Sequence, residues 1–214
     1  MALARAELTG PSLSRLRPKV KETAFTLWKI YIGFTIIEIF LLGTLGGMSL
    51  FDSVNHGFTT MATGGFSTRD ASIGYYDSLK VEAIIIIFMF IGGINFTLIW
   101  FLLAKEYVKA FKDEEFKTYL VYIFVAVAVM MVALVTTNVN LGDSFRQSLF
   151  QTISIGTSTG YTTQDYMTWP AVTQFILMIL MIVGACAGST SGGLKLMRII
   201  LAFKVAMREL VRIA

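Results

Sequence analysis

Charged residues and cysteine are both scarce in this chain of 214 residues. Only 15% of its residues are charged and 55% are hydrophobic, whereas charged residues make up about 25% of a typical soluble domain. The single cysteine, Cys186, excludes a disulfide within the chain, and the single histidine, His56, excludes a metal site built from several histidines. These absences, together with long apolar runs, indicate an integral membrane protein.

The same scarcity argues against an enzyme. Covalent catalysis requires a nucleophile held beside a base, and the chain offers no acid–base pair on one helix face. The formal net charge is +4, but the basic residues flank apolar segments, as is typical of membrane proteins rather than of nucleic-acid binders. We therefore expect no enzymatic activity, no covalent cofactor and no nucleic-acid partner, with membrane lipid as the surroundings.

Four apolar segments are long enough to cross a membrane, which takes about 20 residues per helix. They cover residues 27–50, 80–103, 118–136 and 170 onwards, the last with an interruption. A polar re-entrant region lies between the two segments of each half. The sequence predicts an all-α integral membrane fold of two tandem helix–pore-loop–helix repeats. The predicted parts are an N-terminal cytoplasmic segment at 1–26, a repeat at 27–104, a cytoplasmic connector at 105–117 and a repeat at 118–214.

A loop rich in glycine and threonine occurs in both re-entrant regions. Gly65 aligns with Gly160 and Phe66 with Tyr161, both at an offset of 95 residues. Lipid tolerates non-helical backbone at membrane depth only where it lines a cavity or pore, and rings of backbone carbonyls form cation selectivity filters. One such loop alone would be read as a turn, but two in register predict an ion filter. The predicted filter residues are Ala62, Thr63, Gly64, Gly65 and Phe66 in the first repeat and Thr157, Ser158, Thr159, Gly160 and Tyr161 in the second.

A short pore helix is expected before each filter, at residues 52–62 and 143–155. The pairs Asp52-Ser53 and Asp143-Ser144 are the expected N-caps, because their side-chain oxygens accept hydrogen bonds from helix N–H groups. They match at an offset of 91, so an insertion of four residues (95 − 91) is expected near residues 156–158. The C-terminal dipole end of each pore helix would face, and favour, a cation.

The fourth apolar segment contains ten consecutive residues, Gly184–Gly193, with small side chains. Each glycine costs about 1 kcal/mol relative to alanine inside a helix. The run therefore indicates either a helix break or a tightly packed helix interface, and the residues alone favour neither.

The distribution of basic residues predicts the topology. Lysine and arginine cluster in the N-terminal segment, the connector and the C-terminal tail, which places these in the cytoplasm and both filters outside. Acids around the outer mouth would either attract cations or serve as caps and turn formers. Capping is favoured for Asp52 and Asp143, whereas both interpretations stay open for Asp70 and Asp165.

Four stretches resemble the Trk/Ktr/HKT potassium transporter superfamily, and its TrkH-like branch in particular. They are residues 59–72, 92–96, 157–163 and 188–195. The family fold has four helix–pore–helix repeats around one pore, and this chain is similar to the second and third repeats only. The resemblance implies that Gly65 and Gly160 are two of four filter glycines. It implies potassium contacts at Thr63, Gly64, Gly65, Ser158, Thr159 and Gly160.

The resemblance also favours a gate loop below the filter over a packed interface at residues 184–193. The implied gate residues are Gly184, Gly188, Ser189, Thr190, Ser191, Gly192 and Gly193. Further implications are potassium as the transported ion, the inner cell membrane as location and a cytosolic nucleotide-binding regulatory subunit as partner. Either a second copy of this chain, as a homodimer, would complete a four-repeat pore, or the missing first and fourth repeats would come from another chain. The alternative is a truncated assembly or structural fragment that does not conduct alone.

Overall fold

The computed structural model describes residues 20–213, and every regular element in that range is helical. The α-helices are α1 (Val20–Thr44), α2 (Leu50–Met61), α3 (Leu79–Gly92), α4 (Phe96–Leu103), α5 (Tyr107–Lys112), α6 (Glu114–Val135), α7 (Leu141–Gly156), α8 (Ala171–Val183) and α9 (Leu196–Ile213). Two short 3₁₀ turns, Ser72–Tyr76 and Tyr166–Thr168, follow the filter loops.

The helices form two copies of one unit. In the first, α1 packs against the pore helix α2, and α3 and α4 follow the filter; in the second, α6 packs against the pore helix α7, and α8 and α9 follow the filter. Helix α5 lies between the two units, and contacts of α3 with α7 join them. The chain is an all-α integral membrane protein with two tandem helix–pore-loop–helix repeats.

Large apolar side chains cover the outside of the molecule. Phe40 on α1 and Phe124 on α6 are 66% and 74% exposed, which suits contact with lipid. Helices α1, from Glu22, and α6 are long and apolar enough to cross a membrane, and the bent pair α3–α4 is a third such span if it is taken as one.

The apolar segment expected at residues 80–103 is not one helix. Helix α3 ends at Gly92, α4 begins at Phe96, and their axes differ by 105°. The side chain of Asn95 caps α4 by accepting a hydrogen bond from the N–H of Thr97 at 2.9 Å. The expectation of an unbroken span was wrong because the backbone groups freed at the break have partners in the second repeat, described below.

The expected N-caps of the pore helices were also wrong by three residues. Ser49 caps α2 by accepting from the N–H of Asp52 at 3.1 Å, and Asn140 caps α7 by accepting from the N–H of Asp143 at 2.9 Å. Both aspartates instead lie in the first helical turn, where their charge complements the positive end of the helix dipole. Ser49 and Asn140 keep the offset of 91.

The four-residue insertion lies inside the second pore helix and not in the loop after it. Helix α2 has 12 residues and α7 has 16, so α7 is longer by 16 − 12 = 4 residues. The C-caps that follow, Ala62 and Thr157, are already at the offset of 95. The filter loops themselves therefore have equal length.

Candidate functional site

Both filter loops turn back onto their own pore helix through the same backbone hydrogen bonds. The N–H of Gly64 donates to the carbonyl oxygen of Thr59 at 2.7 Å, and the N–H of Thr159 donates to that of Ser154 at 2.8 Å. In each loop the N–H of the following glycine donates to the same carbonyl, at 3.3 Å and 3.2 Å. Every donor and acceptor is related to its counterpart by 95 residues, so the sequence repeat is also a structural repeat.

A side-chain bond of the same kind closes each loop. The hydroxyl of Thr59 donates to the carbonyl oxygen of Phe66 at 2.9 Å, and the hydroxyl of Ser154 donates to that of Tyr161 at 2.6 Å. The last carbonyl of each predicted filter segment is therefore directed toward the pore helix.

Both loops hold strained backbone at matching positions. Thr63 and Ser158 have φ values of 50° and 60°, and the filter glycines, Gly65 and Gly160, have φ values of 64° and 89°. A positive φ is ordinary for glycine but costs of order 1–3 kcal/mol for other residues, and such residues cluster at functional sites. The two loops therefore have the same backbone conformation although their residues differ.

The two filter loops are in direct backbone contact. A Cβ placed on Gly65 would lie 1.9 Å from the carbonyl oxygen of Thr159, so this position admits only glycine. A Cβ placed on Gly160 meets nothing within 4 Å among the described residues. The first loop therefore has its neighbour in place, whereas the matching side of the second loop is open.

The aromatic residues of the two loops show the same asymmetry from the other side. Tyr161 is fully buried behind the first pore helix, where its hydroxyl lies 2.6 Å from that of Thr59 and its ring centroid 5.8 Å from that of His56. Phe66, its counterpart, is 75% exposed. The pair of loops thus has one formed junction, between the two loops, and two open edges, at Phe66 and at Gly160.

His56, for which the sequence analysis predicted no role, anchors the end of the first filter loop that contains Ser67. Its Nδ1 lies 2.8 Å from the carbonyl oxygen of Asp52, and its Nε2 lies 3.0 Å from the hydroxyl of Ser67. Because a carbonyl only accepts, Nδ1 carries the proton and Nε2 accepts from Ser67. Burial lowers the pKa of His56, which keeps the ring in this neutral form.

Two of the acids predicted to surround the outer mouth, Asp52 and Asp165, are engaged by protein groups. Asp52 accepts from the hydroxyl of Thr68 at 2.6 Å and from the guanidinium of Arg69 at 2.9 Å; these contacts, that with Thr68 foremost, lower the pKa of its carboxyl to about 2. The Asp165 side chain accepts from the N–H of Met167 at 3.0 Å. Its role is therefore that of a turn former.

The small-residue segment at 184–193 is a loop between α8, which ends at Val183, and α9, which begins at Leu196. Its two ends are tied together: the N–H of Leu194 donates to the carbonyl of Ile182, and that of Leu196 to the carbonyl of Ala185, both at 3.0 Å. Gly184 has a φ of 71°, and a Cβ there would lie 2.4 Å from the carbonyl oxygen of Gly192. Glycine is therefore required where the ends of the loop meet.

This loop is the predicted gate and is called the gate loop below. It binds the break between α3 and α4. The N–H of Cys186 donates to the carbonyl of Gly93, and the N–H of Phe96 donates to the carbonyl of Gly188, both at 3.1 Å. The N–H of Thr190 donates to the carbonyl of Gly92, also at 3.1 Å. Two interrupted helices thus satisfy each other's backbone groups, as non-helical backbone within a membrane requires.

The gate loop also touches the first filter. The hydroxyl of Thr63 lies 2.9 Å from the carbonyl oxygen of Thr190, so filter and gate loop are adjacent. Within the loop, the hydroxyl of Ser189 donates to the carbonyl of Cys186 at 2.5 Å and lies 2.9 Å from that of Ser191. The remaining predicted gate residues, Gly188 and Gly193, both have a positive φ.

A polar cavity of about 400 Å³ lies between the repeats near the ends of the filter loops. It is lined by Gly74, Asp77, Glu82, Asp143, Arg146, Gln147, Thr163 and Gln164. On its wall the guanidinium of Arg146 on α7 binds both carboxylate oxygens of Glu82 on α3, each at 2.7 Å. This ion pair holds the two repeats together beside the filters.

Known proteins resemble this chain in sequence and in fold. The TrkH family, described as cation transport protein, matches residues 1–212. The chain is 41% identical over 217 residues to the Trk system potassium uptake protein TrkH of Escherichia coli K12 and 34% identical over 216 residues to the TrkG protein of the same strain. These alignments cover 100% and 97% of this chain but 45% and 43% of the relatives.

The fold is also similar to that of a solved structure, the potassium transporter TrkH from Vibrio parahaemolyticus. It superposes with a TM-score of 0.86 at 38% sequence identity and covers 99% of this chain and 46% of that one. The chain thus spans about half the length of the relatives it matches.

Proposed function

The chain belongs to the TrkH family of cation transport proteins, and we propose that it forms two adjacent quarters of a potassium-selective pore. The observation that carries this proposal is the pair of filter loops, which share every backbone hydrogen bond and lie side by side with Gly65 against the carbonyl of Thr159. Relatives of the chain carry the name of potassium uptake proteins.

In this proposal the backbone carbonyls of both loops replace the hydration shell of potassium. The contributing residues are Thr63, Gly64, Gly65, Ser158, Thr159 and Gly160. Fixed carbonyl oxygens suit this role because they bind an ion without covalent chemistry and release it again. The C-terminal ends of α2 and α7 lead into the loops, and the negative ends of their dipoles add to the attraction for a cation.

Two filter loops make half of a ring, and we propose that a second copy of this chain or another chain provides the rest. The open edges at Phe66 and Gly160 support this, because each is the counterpart of a contact that is filled at the formed junction. The gate loop at 184–193 lies against the first filter and would regulate passage beneath it. We place the protein in the inner cell membrane with its filters outside, and a cytosolic nucleotide-binding regulatory subunit at the connector and α9.

Potassium flux into proteoliposomes tests the proposal. The chain is reconstituted alone and together with a chain that supplies the remaining two repeats. Uptake of rubidium, which serves as the tracer for potassium, is compared with uptake of sodium. We expect selective flux from the assembly, and we expect Gly160→Ser to reduce the preference for potassium over sodium. Gly65→Ser is a second probe, and stability is measured in parallel because its side chain collides with Thr159. Flux and selectivity that both substitutions leave unchanged would show that the loops are not the filter.

The second candidate is a structural fragment that does not conduct by itself. The open edges of the half ring favour it for the isolated chain. Flux that appears only after the remaining repeats are added supports a partial pore-forming subunit, whereas flux from neither preparation supports the fragment.

A further inference from the structure

A buried glutamate at the beginning of α6 binds the gate loop at two places. Glu115 is 2% exposed. One of its carboxylate oxygens, Oε1, accepts from the N–H of Ala187 at 2.7 Å and from the N–H of Met197 at 3.0 Å. Ala187 lies within the gate loop and Met197 in the first turn of α9, ten residues further along the chain. One oxygen therefore fastens the loop to the helix that follows it.

The bonding partners suit a charged acceptor. The N–H of Met197 lies at the positive end of the α9 dipole, where a carboxylate is stabilised. Hydrogen bonds to an ionised acceptor are about twice as strong as those between neutral groups. Ala187 is flanked by Cys186 and Gly188, which are two of the three residues through which the loop binds the α3–α4 break. Holding Ala187 therefore also holds the contact between the two repeats.

Glu115 belongs to the end of the connector at residues 105–117, which forms the first turn of α6. Asp113 caps α6, accepting from the N–H of Phe116 at 2.8 Å, so the backbone at Glu115 is fixed in the first turn. The preceding residue, Glu114, is exposed and pairs with Lys204 of α9 at 2.6 Å. Connector, gate loop and α9 thus meet at the first turn of α6.

We propose that Glu115 is a positioning residue for the gate loop, and that it transmits movement of the connector to the loop. The proposal rests on the proposed function of the loop as a gate. A shift of the first turn of α6 displaces the acceptor of both N–H groups together, which releases the loop from α9.

Cys186 provides a reporter without any engineered label. It is the only cysteine in the chain, it is fully buried, and it precedes Ala187. The rate of its modification by N-ethylmaleimide in the reconstituted 214-residue chain measures how often the loop opens. The negative charge of Glu115 acts on the Cys186 thiol, so any variant that removes this charge can change the reactivity of the thiol directly. The decisive comparison is therefore between Glu115→Gln and Glu115→Ala, which are equally uncharged but differ in having an acceptor oxygen.

We expect Glu115→Ala to accelerate labelling about tenfold relative to Glu115→Gln, as the loss of a buried acceptor implies. Hydrogen exchange of the peptide covering residues 184–197 should accelerate in parallel. The labelling rate of Glu115→Asp should be closer to that of the unmodified chain than the rate of Glu115→Ala. Glu114→Ala is the matched control and should label like the unmodified chain. Equal rates in Glu115→Ala and Glu115→Gln, or an equally large effect of Glu114→Ala, would overturn the proposal.

Labelling requires no ion flux, so this inference and the proposed function fail separately. Faster labelling of Glu115→Ala with altered flux through the assembled pore supports both. Faster labelling with unaltered flux supports the positioning role and contradicts the gate.

Discussion

The hydroxyl of Thr63 in the first filter loop lies 2.9 Å from the carbonyl oxygen of Thr190 in the gate loop. The two residues are 127 positions apart in the chain and belong to different repeats. This contact places the gate loop against the filter loop of the other repeat, at a residue whose backbone has a positive φ.

Replacing Thr63 with valine should loosen this contact. Valine keeps the branched shape but removes the hydroxyl, which lies 2.7 Å from the carbonyl oxygen of Ala62 and 2.9 Å from that of Thr190. The loss of this shared donor should cost about 1 kcal/mol. The counterpart Ser158 has a hydroxyl with no hydrogen-bond partner among the described residues, so Ser158→Ala is the matched control. Thermal unfolding in detergent should show a lower midpoint for Thr63→Val than for Ser158→Ala. Equal midpoints would show that the contact does not stabilise the protein.

Acidification should reduce the stability that the Asp52 carboxylate contributes to the first repeat. The folded pKa of Asp52 lies near 2, below the ordinary value of 3.8, because Thr68 and Arg69 bind its carboxylate. A lowered folded pKa contributes stability at pH values above the unfolded pKa, and this contribution is lost as the pH falls from about 4 toward 2. Asp52→Asn should therefore lower stability at pH 6 but show little further loss between pH 4 and pH 2 at this site. Unfolding midpoints across this range are the measurement, and parallel curves for both proteins would contradict the assignment.

The ion pair between Arg146 and Glu82 should stabilise the junction of the repeats more than a surface pair does. Glu82 has only 4% of its side chain exposed, so Arg146→Met leaves a buried carboxylate without its partner and should cost up to about 3 kcal/mol. Adding Glu82→Gln should recover part of this loss. The exposed pair Lys109–Glu106 is the control and should contribute below about 1 kcal/mol. A double-mutant cycle that gives equal coupling for both pairs would contradict this prediction.

The sequence predicted the repeat and both loops because glycine and aromatic residues recur at one offset in a membrane setting. It did not predict the break after Gly92, because the carbonyls freed there are satisfied by the gate loop, which is more than 90 residues away in the chain. The caps were misplaced because Ser49 and Asp52 are equally good cap residues. Only the geometry of the preceding turn separates them. The role of Glu115 depends on contacts more than 70 residues away, which no local pattern indicates.

The two filter glycines should differ in their tolerance of alanine. Both have positive φ, so alanine introduces strain of about 1–3 kcal/mol at either site. At Gly65 the new methyl group also meets the carbonyl of Thr159, which adds about 1–3 kcal/mol of overpacking. Gly65→Ala should therefore unfold at a lower temperature than Gly160→Ala in the 214-residue chain. If Gly160→Ala is the less stable variant, the two loops are not adjacent as described.

The stability costs of replacing Phe66 and Tyr161 should distinguish half a ring of filter loops from a complete ring. In the 214-residue chain Tyr161→Ala should cost about 3–5 kcal/mol, because a fully buried ring is lost. Phe66→Ala should cost less than about 0.5 kcal/mol, because its ring is exposed. When the remaining repeats are supplied, a pore helix from the added half should cover Phe66 as α2 covers Tyr161, and the cost of Phe66→Ala should rise toward that of Tyr161→Ala. A cost for Phe66→Ala that stays unchanged on assembly would mean that no further repeat packs at this edge, and the half ring would not be part of a closed filter.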